Sequence, residues 1–112
     1  MSTSDSALAQ AIACHKRGDG GAAEPLYRAV LAREPGNAEA NHNLGVLLMQ
    51  RGEPGQALPF LRAALDARPL LGPYWLSYAQ SLLKAGDAGA AHALLIRGRA
   101  GGLSGRAFET LL

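Results

Sequence analysis

The sequence predicts an all-α repeat array: three helix–turn–helix units followed by a short C-terminal helix. Three observations carry this. First, Gly18, Gly52 and Gly86 recur every 34 residues, and so do Ala23, Ala57 and Ala91; a fixed period of this length marks stacked repeats. Second, Pro35 and Pro69 share the spacing, as do Tyr27, Leu61 and Leu95 and the acidic set Asp19, Glu53 and Asp87. Third, hydrophobic residues make up 48% of the chain but aromatics only 5%, which suits close-packed small helices better than a β-sandwich.

The first unit spans about 4–37. Ser4 or Asp5 caps a helix over about 4–17, in which Leu8, Ala11, Ile12 and Cys14 follow helical spacing. Gly18 ends it, and Asp19 starts a second helix over about 20–33 with Ala23, Leu26, Tyr27, Val30 and Leu31 on its apolar side. Pro35-Gly36-Asn37 closes the unit.

The second unit, 38–71, repeats the plan. Asn37 caps a helix over about 38–51 carrying Leu44, Val46, Leu47 and Leu48. Gly52 breaks it, and Ala57, Leu58, Leu61, Ala64 and Leu65 carry a helix over about 54–67 that stops near Pro69.

The third unit, 72–103, opens at Gly72-Pro73, and Pro73 suits a first helical turn. Trp75, Leu76, Tyr78, Ala79, Leu82 and Leu83 mark a helix over about 73–85, and Ala91, Leu94, Leu95 and Ile96 one over about 88–100. The echo fades here, where Gly98, Arg99 and Leu103 replace Ala64, Leu65 and Pro69. Ser104 then caps a short helix over about 104–112 with Ala107, Phe108, Leu111 and Leu112. Pro25 and Pro59 also share the period and are expected in or just after a first turn, where few backbone bonds are lost. Residues 1–112 thus read as a single domain.

Composition narrows the function. The formal net charge is +2, and the arginines are scattered apart from Arg97-Gly98-Arg99. A nucleic-acid binder shows a denser basic stripe, so none is expected. The single Cys14 cannot form an internal disulfide and fits a reducing compartment. The opening MSTSDSALAQ lacks the basic region and apolar core of a secretory signal, and no run approaches the ~20 apolar residues of a membrane helix. A cytoplasmic protein without membrane insertion is expected. His15, His42 and His92 share no metal-ligand spacing. Cys14 falls at a core place, and the glycines sit at helix breaks rather than in a phosphate loop. Neither cofactor, metal nor catalysis is expected.

These residues resemble the tetratricopeptide repeat, a helix–turn–helix unit with a large residue, Leu-Gly, Tyr or Leu, Gly, Ala, an aromatic or Leu, Ala and Pro. The second unit matches through Leu44-Gly45, Leu48, Gly52, Ala57, Leu61, Ala64 and Pro69. The third offers Trp75, Tyr78-Ala79, Leu82, Gly86, Ala91 and Leu95, and the first Ala11, Gly18, Ala23, Tyr27, Val30 and Pro35. Gly45 and its equivalents Ala11 and Ala79 must be small where helices approach closely. The resemblance implies a right-handed α-solenoid whose first helices line a concave groove.

Carried over place by place, that groove comprises Asp5, Leu8, Ile12, His15 and Lys16; Glu39, His42, Asn43, Val46, Met49 and Gln50; and Pro73, Leu76, Gln80, Leu83 and Lys84. The family implies capture of a protein or peptide there, and Met49→Glu or Leu83→Glu is expected to abolish capture without lowering the melting temperature. Asn43 stands where some members contact a peptide backbone. A chaperone-type carboxylate clamp is not expected, because its other places hold Leu8, Ile12, Pro73 and Ser77. Nor is the Asn ladder of O-linked N-acetylglucosamine transferases, because the equivalents of Asn43 are Ala9 and Ser77. Two alternatives stay open. Gly72–Tyr78 looks like the N-terminal arrays of bacterial multidomain enzymes, including glycosyltransferases, so the chain can be a recruiting module of one. The C-terminal end, finishing on Leu111-Leu112, can also mediate self-association.

Overall fold

The same closure is built three times between paired helices. A computed structural model describes residues 3–102. It contains α1 (Thr3–Lys16), α2 (Gly20–Arg33), α3 (Ala38–Gln50), α4 (Pro54–Ala67), α5 (Gly72–Lys84) and α6 (Ala88–Ala100). No strand occurs among the described residues, and the expected helix at 104–112 lies outside them.

At the end of α1 the Gly18 amide donates to the His15 carbonyl at 3.0 Å and the Asp19 amide to Cys14 at 2.9 Å. Gly52 and Glu53 make the equivalent bonds to Met49 and Leu48, and Gly86 and Asp87 to Leu83 and Leu82. This pair of bonds closes a helix only if the residue after the cap takes a left-handed conformation. Gly18, Gly52 and Gly86 do, at φ of 82°, 79° and 90°. The acidic residue that follows also sits at the N-cap of the next helix. Asp19 and Asp87 accept from the amides of Ala22 and Ala90 at 3.1 and 3.0 Å. Glu53, one methylene longer, makes no such bond.

The other turns differ from one another. Asn37 accepts from the Ala40 amide at 2.9 Å and caps α3. Its equivalent Leu71 has no capping group, and Leu70 beside it is 82% exposed. Pro25 and Pro59 stand inside α2 and α4, just past the first turn. The carbonyls they leave without a donor belong to Gly21 and Gly55, which are exposed to water.

Helices pack mainly against their chain neighbours, with lighter contacts between α1 and α3 and between α3 and α5. Two apolar clusters result. The first joins Ala11, Ala23, Tyr27, Leu44, Leu48, Ala57 and Leu61 across the first two units. The second joins Ala64, Leu65, Tyr74, Ala79, Leu82, Ala91 and Leu95 across the last two. Gly45 shows why small residues recur: a Cβ there would lie 2.5 Å from the Leu61 side chain. Two expectations need correction. Cys14 is half-buried rather than sealed in the core, with Arg17 donating to its Sγ at 3.3 Å. Met49 is buried in the first cluster, so Met49→Glu would place a charge in the core and lower the melting temperature.

Candidate partner-binding groove

The first helices of the first two units face each other across a cleft of about 300 Å³. Ile12, His15 and Lys16 of α1 line one wall and Asn43, Val46 and Gln50 of α3 the other. Helical spacing accounts for this. Ile12 with His15 and Lys16, and Asn43 with Val46 and Gln50, lie three to four residues apart and so share a face. Tyr27 reaches the cleft from α2.

A polar chain ties the two walls. His15 Nδ1 and the Tyr27 hydroxyl are 3.0 Å apart, and His15 Nε2 and Gln50 Oε1 are 2.8 Å apart. The rings of His15 and Tyr27 meet edge to face at 5.9 Å. Burial, then the charges of Glu39 and Cys14, push the Tyr27 phenol up to about 12. Gln50 Oε1 can only accept, so His15 Nε2 carries the hydrogen, and Nδ1 of the neutral ring accepts from the Tyr27 hydroxyl. Tyr27 and Gln50 hold the imidazole in place, while Lys16 stays exposed beside it.

The remaining expected groove residues scatter. Leu8 is half-buried against the first cluster and Leu76 against the second. Asp5, Glu39, Pro73, Gln80, Leu83 and Lys84 are exposed and do not line this cleft. His42 instead joins α3 to α5. Its Nε2 lies 2.8 Å from the Ser77 hydroxyl, and its ring stacks on Tyr74 with centroids 4.4 Å apart. Burial holds its pKa below the ordinary histidine value, against opposing pulls from a hydrogen bond with Asn43 and the charge of Glu39.

Sequence reasoning assigned Tyr27 to packing alone. The signal that it also faces the cleft was polar. A fully buried tyrosine must satisfy its hydroxyl, and His15 is the partner within reach. Also missed was a charged cluster on α2. Glu24 pairs with Arg28 at 2.8 Å and with Arg51 of the next unit. The hydrogen bonds from Arg51 and then Arg28 hold its carboxyl below the usual carboxylate range.

Chemically, the cleft offers an apolar floor, a fixed imidazole, two side-chain amides and one ammonium. No cluster of three or more His, Cys, Asp or Glu able to hold a metal occurs among the described residues, and no helix there is long and apolar enough to cross a membrane.

A family model described as tetratricopeptide repeat matches residues 15–75. Among solved structures, a mutant of the O-GlcNAc transferase from Thermobaculum terrenum matches with a TM-score of 0.77 and 28% identity, covering 88% of this chain and 20% of that one. The N-terminal domain of stress-induced protein-1 (STI-1) from C. elegans matches with a TM-score of 0.81 and 15% identity, covering 99% and 95%. The second likeness is one of fold alone. No curated protein matches.

Proposed function

Because the chain belongs to the tetratricopeptide repeat family, we propose that it is a non-catalytic interaction module that holds a peptide or partner helix between α1 and α3. The observation that carries this reading is the convergence of Ile12, His15, Lys16, Asn43, Val46 and Gln50, from two units, on one cleft. Apolar side chains with a few oriented polar groups suit side-chain capture with backbone hydrogen bonding. Residues 1–112 act in this reading as one array with units 4–37, 38–71 and 72–103. The test is affinity capture from the source cell, read by mass spectrometry, with the wild type against a Lys16→Glu/Gln50→Lys double variant. Both residues are exposed, so the melting temperature should stay within about 3 °C. Proteins held by the wild type should be lost from the variant, and equal retention by both would overturn the assignment.

A second reading has its own support in the 28% identity to the transferase, of which this chain spans 20%. Here the array recruits substrates to a larger glycosyltransferase-like enzyme. It requires a transferase encoded in the same or an adjoining gene, which genomic sequencing around the coding region decides.

A further inference from the structure

The repeat allows the two junctions between units to be compared place by place. At the first junction Leu44 is fully buried and Phe60 packs against the core beside it. The Arg28 guanidinium lies 5.5 Å from the Phe60 ring centroid and pairs with Glu24. At the second junction most of these places have changed. Tyr78 stands for Leu44, Leu94 for Phe60, Ala93 for Pro59 and Ala90 for Gln56. Arg62 stands for Arg28, but Leu58 occupies the place of Glu24.

Shorter residues on α6 leave space between α4 and α6. A cleft of about 410 Å³ lies there, and a neighbouring one of about 470 Å³ between α4 and α5 shares its Arg62, Asp66 and Tyr78. Leu65, Leu82 and Leu94 complete an apolar floor around Tyr78. Arg62 and Arg97 stand on opposite walls, one from each helix. Among the described residues, Asp66 is the one carboxylate that lines this cleft. Asp66 lies 3.9 Å from Arg62, with both side chains more than 70% exposed, a pairing of little energetic weight. Arg97 has no anionic partner among the described residues. Among the described residues the Tyr78 hydroxyl has no hydrogen-bond partner and no buried side-chain polar atom is left unpaired, so that hydroxyl is not sealed in the core. None of the residues lining this cleft lines the groove between α1 and α3.

We propose that this second cleft docks an acidic peptide segment of a partner protein. An apolar side chain of the peptide rests on Tyr78 and its leucine surround, and a carboxylate bridges Arg62 and Arg97. Guanidinium groups bind carboxylates through paired, planar hydrogen bonds, which a like-charged peptide cannot offer. The apolar floor adds area that a carboxylate alone would not cover. Two cations against one anion set the sign of the partner's charge.

Fluorescence anisotropy on the full chain tests this. The probe is an end-blocked, dye-labelled peptide Glu-Glu-Leu-Phe-Glu-Glu, with Lys-Lys-Leu-Phe-Lys-Lys and Glu-Glu-Ser-Ser-Glu-Glu as controls. The first should bind at least about tenfold more tightly than either control and weaken with added salt. Arg62→Glu/Arg97→Glu should weaken it at least about tenfold, and so should Ala93→Trp, which fills the cleft and leaves its charges intact. The Lys16→Glu/Gln50→Lys variant should bind as the wild type does. All substituted residues are exposed, and circular dichroism melting checks that each variant folds. The proposal is overturned if the wild type does not bind the acidic apolar peptide, if the cleft variants bind it equally well, or if only the α1–α3 variant loses it.

Discussion

Gly45 is where a single hydrogen atom decides the packing. A Cβ at this position would approach both Cγ and Cδ2 of Leu61 to 2.5 Å, with the Ala57 carbonyl at 3.4 Å. Leu61 is 1% exposed and has nowhere to retreat. Gly45→Ala should therefore destabilise by about 1–3 kcal/mol, although alanine favours helices, read as a lower urea midpoint at unchanged slope. The equivalent Ala11 and Ala79 are buried without difficulty, so the constraint belongs to the α3–α4 contact. That a small residue belongs here was legible, because three units agree on it. That Met49 turns inward was not. Family groove places are assigned by register, and a buried Met and an exposed one are identical in register. His42 was likewise read as groove and proves to be a junction residue, because its partners Tyr74 and Ser77 lie one unit away. Burial lowers its folded pKa below the ordinary value of about 6.5, so the unfolded chain binds more protons between the two values. Stability then rises with pH through that window and is lost as pH falls below about 6.5. His42→Phe keeps a ring against Tyr74 and cannot titrate. Its melting temperature should fall less than that of the wild type between pH 7.5 and 5, and an equal fall in both would show that His42 is not the titrating group.

The helices follow punctuation that repeats, and their ends differ where it fails to repeat. Asp19, Glu53 and Asp87 look interchangeable as caps, yet only the aspartates reach the amide three residues on. An aspartate carboxyl is positioned for that bond, and the extra methylene of glutamate carries the oxygen past it. Glu53→Asp should accordingly stabilise α4 by about 0.5–1 kcal/mol. Leu71 stands at the N-cap of α5 with ψ of 107°, the same ψ as Asn37 at the cap of α3. Leu71→Asn should stabilise by a similar amount, about 1 kcal/mol, and also remove a partly exposed leucine. Thermal melts of the two variants check both, and a drop in either would mean that its side chain makes a contact more valuable than the cap. The six helix spans were readable to within about two residues because glycine and proline mark both kinds of turn. The cleft between α4 and α6 was not readable. It arises from the difference between Phe60 and Leu94 and between Pro59 and Ala93, and period-matching sets such differences aside.

Across the molecule, the units bear unequal shares of the stability. Contacts run between neighbouring helices, so the fold is close to a one-dimensional stack in which each unit relies on the next. The middle unit contributes to both apolar clusters: Leu44, Leu48 and Leu61 to the first, Ala64 and Leu65 to the second. Half-buried Tyr78 touches both clusters and links them. Leu61 and Leu95 are repeat equivalents with the same chemistry and near-zero exposure, and replacing either by alanine should cost about 2–5 kcal/mol. The consequences should nevertheless differ in extent. Leu61→Ala weakens the cluster that holds α1 and α2 to the middle unit, and it loosens the support of α5. Its hydrogen-exchange protection should fall throughout α1–α6. Leu95→Ala lies in the last described pair of helices, where loss of packing is not passed through another unit. Protection should fall in α5 and α6 while α1 and α2 keep most of theirs, because sub-global opening of the last described unit costs less than unfolding the stack. Native-state hydrogen exchange read by mass spectrometry separates the two patterns. If Leu95→Ala lowers protection equally in all six helices, the array unfolds as one cooperative body, and the coupling through Tyr78 exceeds the stability of any single unit.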